Sequence, residues 1–168
     1  MRGKTKKDEK EGRPMIEDEY KVRLIFDEEI DTAAELSTAV FGDQGYSKRD
    51  FFEAVKGGNA LVLGAFSRAD MSIKGYGVFY HSADQAEINS LAIAEDQRRK
   101  GLGTFLLKKA AGILKEGGAK KLFLEVRRSN EGAIKFYEKH RFLMSDVRRN
   151  FYDNPKEDAL VMVKVLKL

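Results

Sequence analysis

The stretch that decides the fold is QRRKGLGTFLLKKAAGILKEGG, at residues 97–118. After Gly101, apolar residues recur at a period close to 3.6, which predicts a helix that begins at Leu102. Three cations and a Gly-Leu-Gly sequence lead into this helix. Because a helix N-terminus carries unpaired N–H groups and glycines let an anion approach the backbone, the stretch predicts a phosphate-binding loop. It is not a P-loop, since no Gly-Lys-Ser/Thr follows.

The segments on both sides of this stretch are typical of strands. Residues 87–94 and 121–126 are short apolar runs, and a strand–helix–strand passage of this length predicts a right-handed parallel crossover. Elsewhere the patterns predict strands at 21–26, 60–66, 72–80, 142–149 and 158–165, helices at 30–41 and 48–56, and a short helix to about 139 that Ser129 or Asn130 caps. This order predicts an α/β fold of the mixed α+β kind, with helices on both faces of one mixed sheet.

Composition limits the chemistry available to this fold. The 168 residues are 42% hydrophobic and 35% charged, which suits one domain at 20–168 after a charged, disordered tail at 1–19. The chain has no cysteine and two histidines, so we expect no thiolate catalysis and no metal. It has no apolar run long enough to cross a bilayer and no signal-peptide core, so we expect a cytoplasmic protein without a membrane partner.

Positive charge is concentrated in one segment. Residues 97–128 contain ten Lys or Arg and two acids, a balance of +8, so a net charge of +4 leaves −4 for the rest. A local field of this kind attracts anions. Two interpretations stay open: a solvated, lysine-rich helix face, or a nucleotide or nucleic-acid surface in a non-catalytic protein. The second interpretation predicts an affinity for nucleic acid that falls steeply as the salt concentration rises. It gives no role to a carboxylate inside the basic segment.

Three polar residues after the helix are candidates for chemistry. Strand alternation puts Glu125 on the face opposite Leu122, Leu124 and Val126. It is either a solvent-facing or ion-paired residue, or a carboxylate whose pKa is raised by burial so that it can act as a base. Asn130 and Tyr137 are two helical turns apart, roughly on one side of a helix. Asn130 can also be only a helix cap, and Tyr137 only a core ring.

Taken in order, three stretches resemble the GNAT superfamily of acetyl-CoA-dependent N-acetyltransferases. Within it, the chain is most similar to protein N-terminal acetyltransferases of the ribosomal-protein-alanine type and their archaeal relatives. The stretches are INSLAIAEDQRRKGLGTFLL, LFLEVRRSNEGAIKFYEK and RRNFYDNPKEDALVM, and FGDQGYSKRDFF resembles the loop between the first two helices of that family. The resemblance implies a GNAT fold of about seven strands and four helices, in which a splayed parallel strand pair holds the cofactor.

The resemblance also implies acetyl-CoA as the cosubstrate. The backbone of Leu91, Ala92 and Ile93 would pair with the pantetheine arm, and Asn130 would hydrogen-bond the same arm. The pyrophosphate would be held by the loop residues Arg98, Arg99, Lys100, Gly101, Leu102, Gly103 and Thr104. Since these cations then serve the cofactor, we do not expect direct nucleic-acid binding.

Catalytic roles follow from the same resemblance. Glu125 would be the general base toward the amine, directly or through a water, with Glu87 on the strand before the loop as second candidate. Tyr137 would lie by the sulfur and, as general acid, protonate the leaving thiolate. Tyr46 and Tyr152, on two flanking loops, would border the acceptor peptide.

The protonation of amines favours an N-terminal acceptor. An α-amino group with a pKa near 8 is roughly 10% neutral at pH 7, whereas a lysine is below about 0.1% neutral. A single carboxylate that relays the proton therefore suits the N-termini of proteins or peptides as acceptors, and ribosomal proteins are among the candidates. The basic charge of the chain gives a further expectation, which is association with the ribosome. The alternatives are lysine side chains or a small-molecule amine.

Three positions depart from the family pattern. Arg141 stands where the family has a glycine that ends the helix, which predicts strain of about 1 kcal/mol or an altered helix end. The residues 94–96 lack the family's proline, and Phe151-Tyr152 replaces a double tyrosine. The last change leaves the preferred acceptor open.

Overall fold

A seven-stranded sheet organises the chain, as shown by a computed structural model that describes residues 14–167. The strands are β1 (Tyr20–Leu24), β2 (Ala60–Ser67), β3 (Ile73–Ser82), β4 (Gln85–Ile93), β5 (Lys121–Arg127), β6 (Leu143–Tyr152) and β7 (Glu157–Val165). Their order in the sheet is β1-β2-β3-β4-β5-β7-β6, and β4 with β5 is the parallel pair. The predicted mixed sheet and parallel crossover are confirmed.

Helices cover both faces of this sheet, as predicted. They are α1 (Ile16–Glu19), α2 (Ile30–Phe41), α3 (Lys48–Lys56), α4 (Leu102–Glu116) and α5 (Glu131–Lys139). Helices α2 and α3 pack on β2, β3 and β4, whereas α4 and α5 pack on the opposite face. The bounds of α2 and α3 agree with the prediction because local signals set them: the Ser47 hydroxyl caps α3 by accepting from the Asp50 N–H (3.1 Å).

The predicted tail is too long at its C-terminal end. Residues 1–13 lie outside the described part of the chain, but residues 16–19 form α1. Arg68 holds this turn, since its backbone N–H donates to Glu19 O (2.8 Å) and its Nε donates to Glu17 O (2.9 Å). Ile16 packs beside the buried Leu102 at the start of α4. Composition could not reveal these long-range contacts, because the segment itself has few apolar residues.

The parallel strands separate along their length. β4 and β5 pair only from Gln85 with Lys121 to Ile88 with Leu124. Beyond these positions, β4 still pairs with β3 as far as Ile93, and β5 still pairs with β7. The register between β3 and β4 also slips by one residue next to Ile88, which is a β-bulge and bends the strand. The splayed pair that the resemblance implied is therefore present.

The end of α5 is a Schellman motif with an arginine at the left-handed position. The Phe142 N–H donates to Tyr137 O (3.0 Å), and the Arg141 N–H donates to Glu138 O (2.9 Å). Arg141 has φ of +67°. A residue with a Cβ is disfavoured in this conformation, which glycine adopts freely. The predicted strain at Arg141 therefore has its geometric basis.

We expect Arg141→Gly to raise the free energy of unfolding by about 1 kcal/mol, because the left-handed strain disappears. Urea unfolding followed by circular dichroism measures the change. Lys139→Gly is the matched control: this exposed residue lies inside the last helical turn, and glycine there should lower stability. A destabilised Arg141→Gly protein would contradict the prediction.

Candidate active site

The loop before α4 presents free backbone donors. Gly101 has φ of +86° and Arg99 has φ of +62°, so the chain turns sharply into the helix. The N–H of Phe105 donates to Gly101 O (3.0 Å), whereas the N–H groups of Leu102, Gly103 and Thr104 find no acceptor within residues 14–167. Three unpaired donors at the positive end of a helix form an anion-binding surface. The predicted phosphate loop therefore has the required geometry.

Contacts on three sides fix this loop. Arg98 Nε donates to Ile93 O (3.3 Å), which ties the loop to the end of β4. The Tyr20 hydroxyl donates to the Gln97 side chain, and Leu102 is buried against Tyr20 from β1. Thr104 Oγ1 shares a hydrogen bond with His140 Nε2 (2.9 Å), which joins α4 to the end of α5. The guanidinium of Arg99 and the amine of Lys100 are exposed and make no ion pair in the described part of the chain.

A slot opens between the separated ends of β4 and β5. Leu91, Ala92 and Ile93 pair with β3 on one side, and their other edge has no strand partner among the described residues. The side chains of Leu91 and Ile93 pack toward α4 and α5, while Ala92 is buried under α2 and α3. A free strand edge can hydrogen-bond an extended amide chain. These residues therefore offer a free edge in the slot, and their pairing with a pantetheine arm stays a prediction.

Tyr137 lies in the core beside this slot. Its ring is 8% exposed and packs edge-on against Phe136 and Phe142, at centroid distances of 5.2 Å and 5.3 Å. Burial raises the pKa of its hydroxyl, which stays protonated at neutral pH. No fully buried polar side-chain atom in residues 14–167 lacks a hydrogen-bond partner. Since this hydroxyl has no partner there, its oxygen must reach accessible space.

Asn130 serves as the N-cap of α5. Its side-chain oxygen accepts from the Ala133 N–H (3.1 Å), so one of the two interpretations from the sequence, the helix cap, is confirmed. The residue is exposed, and contact with a cofactor arm stays a prediction.

A cleft of about 540 Å³ lies on the other face of the sheet, and it contains both candidate bases. Glu125 and Glu87 project into it from neighbouring strands, and Glu87 is in register with Phe123, two residues before Glu125. The buried face of β5 is formed by Leu122, Leu124 and Val126, as strand alternation predicted. Tyr80 and Val161 also line the cleft.

The two carboxylates have different surroundings. Glu125 Oε1 lies 3.1 Å from Arg148 Nε, so it is ion-paired, one of the outcomes left open by the sequence. Glu87 makes no ion pair within residues 14–167. Loss of hydration, and then the negative charge of Glu125, raise the pKa of Glu87, which Arg148 partly offsets. Burial and the neighbouring carboxylate therefore raise the pKa of Glu87, the second candidate base from the sequence.

Neither predicted acceptor tyrosine lines this cleft, but each neighbours a residue that does: Tyr46 lies near Tyr80, and Tyr152 lies near Glu125. Burial, and then the neighbouring Tyr80, raise the pKa of Tyr46. Burial, and then the charge of Glu125, raise the pKa of Tyr152. Contact of either tyrosine with an acceptor peptide stays a prediction.

Arg148 is the residue of this site that the sequence did not indicate. It lies on β6, separated from β5 by β7, and the pairing of β6 with β7 slips between Arg148 and Tyr152. Alternation along a strand reveals which residues share a face, but only where the register is regular.

A chain of buried hydroxyls holds the loop that carries Tyr46. The Tyr46 N–H donates to Ser37 Oγ (2.7 Å), which lies 2.8 Å from the Tyr76 hydroxyl. The Tyr76 hydroxyl is in turn 2.7 Å from Ser90 Oγ on β4. Ser37 is completely buried. The loop that carries Tyr46 is therefore linked through α2 and β3 to the strand that borders the slot.

Two features are absent from residues 14–167. None of their helices has the length and apolarity needed to span a bilayer. No three or more of their His, Asp and Glu side chains lie together as a group that could hold a metal ion.

A family model described as "Acetyltransferase (GNAT) family" matches residues 25–142. The chain belongs to this family. A Bacillus subtilis (strain 168) protein named "putative ribosomal protein bS18-alanine N-acetyltransferase" is 31% identical over 141 residues, which are 84% of this chain and 92% of that protein. The crystal structure of the Escherichia coli ribosomal-protein-S18-alanine N-acetyltransferase has a TM-score of 0.80 at 24% identity, covering 89% of this chain and 95% of that chain. The PaiA N-acetyltransferase of Thermoplasma acidophilum, solved in complex with coenzyme A, has a TM-score of 0.72 at 23% identity, with coverage of 87% and 98%.

This membership confirms the resemblance drawn from the three sequence stretches, and it makes the protein an acetyltransferase. GNAT enzymes use acetyl-CoA. The interpretation as a non-catalytic nucleic-acid binder is therefore wrong.

We expect Ser37→Ala to lower the free energy of unfolding by about 1–2 kcal/mol, because the Tyr46 N–H and the Tyr76 hydroxyl each lose a buried partner. Urea unfolding measures this loss. Thr38→Ala, an exposed hydroxyl deletion on the same helix, is the matched control and should change stability by less than about 0.5 kcal/mol. Equal effects of the two substitutions would show that the hydroxyl chain contributes nothing.

Proposed function

We propose that this enzyme transfers the acetyl group of acetyl-CoA to the N-terminal α-amino group of a protein or peptide. The observation that carries the proposal is the gap between β4 and β5. On one side of the sheet the gap adjoins the free N–H groups before α4, and on the other it adjoins the cleft with Glu87 and Glu125. A thioester in the gap would thus meet an amine that enters from the opposite face.

The cofactor would be held mainly by main-chain groups. In this proposal the pyrophosphate accepts from the N–H groups of residues 99–104, while the exposed side chains of Arg99 and Lys100 add positive charge. The free edge of Leu91, Ala92 and Ile93 binds the pantetheine amides, and the Asn130 amide reaches the same arm.

The reaction is direct transfer without a covalent enzyme intermediate. The amine nitrogen attacks the acetyl carbonyl carbon, a C–N bond forms, and the C–S bond breaks. The amine loses its proton to a carboxylate, and Tyr137 gives its hydroxyl proton to the departing thiolate. The role is supported by the place of the Tyr137 ring, which packs in the same core cluster as Leu91 and Ile93 at the edge of the slot. Its hydroxyl carries a proton at neutral pH, as an ordinary tyrosine does.

We assign the general base to Glu125, with Glu87 as the alternative. Glu125 lies on β5 just past the last residue paired with β4, where the gap has opened, whereas Glu87 lies in the paired segment. Arg148 holds the Glu125 side chain in place. A water between carboxylate and amine can relay the proton.

The proposed acceptors are ribosomal proteins or their N-terminal peptides, and the proposed location is the cytoplasm. This choice rests on the names of the relatives, which specify alanine N-acetylation of a ribosomal protein. Tyr46 and Tyr152 would hold the first acceptor residues, and the cleft offers carboxylates to an incoming ammonium group.

A direct test is incubation with acetyl-CoA and three acceptor sets: peptides with free N-termini, including one that begins with alanine; N-blocked peptides with one lysine; and small amines. Mass spectrometry should show acetylation of the free N-termini. If only lysine or small amines were acetylated, the N-terminal acceptor would be wrong while the acetyltransferase family would stand.

We expect Glu125→Gln and Tyr137→Phe each to lower kcat by about a hundredfold or more, since each removes a proton-transfer group. Affinity for acetyl-CoA, measured by calorimetry, should change little. Glu138→Gln, an exposed substitution next to Tyr137, is the control and should leave kcat unchanged. A larger loss in Glu87→Gln than in Glu125→Gln would assign the base to Glu87.

We expect Arg148→Gln to raise the pKa of Glu87 further, because the substitution removes the cation that lowers it. Glu87 should then take up its proton at higher pH than in the wild type. Carbon NMR of the glutamate carboxyls, with Glu87→Gln for assignment, measures the midpoint. Arg149→Gln, an exposed neighbour on the same strand, is the control. A midpoint that stays in place or falls in Arg148→Gln would contradict the prediction.

A further inference from the structure

One guanidinium group contacts several residues in and next to the turn that joins β6 to β7. Arg127 Nη1 donates to Pro155 O (3.0 Å) and to Glu157 Oε2 (3.2 Å), and Arg127 Nη2 donates to Asp153 O (3.1 Å). Its Cζ lies 4.4 Å from the centroid of the Tyr152 ring. Four groups of one turn thus meet a single side chain that projects from β5.

This contact set depends on the shape of arginine. The guanidinium is planar and offers donors in a fixed fork, so two carbonyl oxygens and a carboxylate can be bonded while the flat face stacks on an aromatic ring. A lysine ammonium has the charge but not this geometry. The side chains of Arg127 and Glu157 are only 24% and 17% exposed, so water screens their interaction less than it would on an open surface.

A second hydrogen bond of Glu157 links these contacts of Arg127 to the side of the sheet where the cofactor is proposed to bind. The other oxygen of Glu157, Oε1, accepts from the Ser129 N–H (2.5 Å). Ser129 directly precedes Asn130, the cap of the helix that carries Tyr137. Arg127 and Glu157 therefore join the turn that follows Tyr152 to the N-terminus of the helix beside the slot.

We propose that Arg127 is a positioning residue for the acceptor. It holds Tyr152 and the turn at 153–156 as one wall of the acceptor site, so that the first residues of the peptide meet a preformed surface. This inference rests on the proposed function, because it concerns how the same site receives its peptide. Arg127 touches neither the thioester nor the amine in this account.

The test compares Arg127→Lys and Arg127→Gln with the wild type, and Arg128→Gln is the matched control. Arg128 is adjacent, its side chain is 57% exposed, and it pairs with Asp158 at 3.6 Å. We expect both Arg127 variants to raise the KM for the peptide by about tenfold, since they lose charge-assisted hydrogen bonds. The KM for acetyl-CoA should stay within about twofold of the wild-type value, and the control should leave both constants unchanged.

Hydrogen exchange of the free enzyme gives a readout that does not depend on activity. The amides at 150–157 should exchange faster in the Arg127 variants and at the wild-type rate in Arg128→Gln. If Arg127→Gln does not fold, Arg127→Lys, which keeps the charge, carries the test alone.

The possible failures are distinct. A wild-type enzyme that acetylates no peptide is a failure of the proposed function. A wild-type enzyme that acetylates peptides, with an unchanged peptide KM in the Arg127 variants, overturns this inference alone, even if the turn exchanges faster. An equal rise in KM for Arg128→Gln also overturns it, because positive charge near the turn, rather than the fork of Arg127, would then be responsible.

Discussion

The end of pairing between β4 and β5 at Ile88 and Leu124 is the constraint on which the site depends. Each strand continues with a partner on its outer side, so both stay in place while their inner edges part. Backbone groups on such edges must find other partners, from water or from a ligand. The fold thus provides a narrow opening lined by hydrogen-bonding groups, without a flexible loop to form it.

Charge is distributed differently on the two sides of this opening. Free N–H groups and exposed cations before α4 make one side positive, whereas Glu87 and Glu125 lie on the other. A phosphate-bearing donor and an ammonium acceptor are thereby attracted to opposite faces of the sheet. Arg148 neutralises part of the acidic side and leaves Glu87 without an ion pair among the described residues.

Local signals in the sequence were sufficient for most of the helices and strands, whereas the residues that line the opening were named from the family resemblance. The Ser47 cap, the glycines before Leu102 and the alternation around Glu125 each act within a few residues, so their effects could be predicted. The ion pair with Arg148 could not, because it joins strands that are separated by β7 and by a register slip. The helix at residues 16–19 could not be predicted for a similar reason, since it is held by Arg68, which is distant in the sequence.

The anion-binding surface before α4 has a consequence for how sequences of this family diverge. Its donors belong to the main chain, so substitutions of side chains along 98–104 leave the N–H groups in place as long as the left-handed turn at Gly101 persists. Many side-chain substitutions can therefore accumulate at residues 98–104 while the backbone N–H groups still bind an anion.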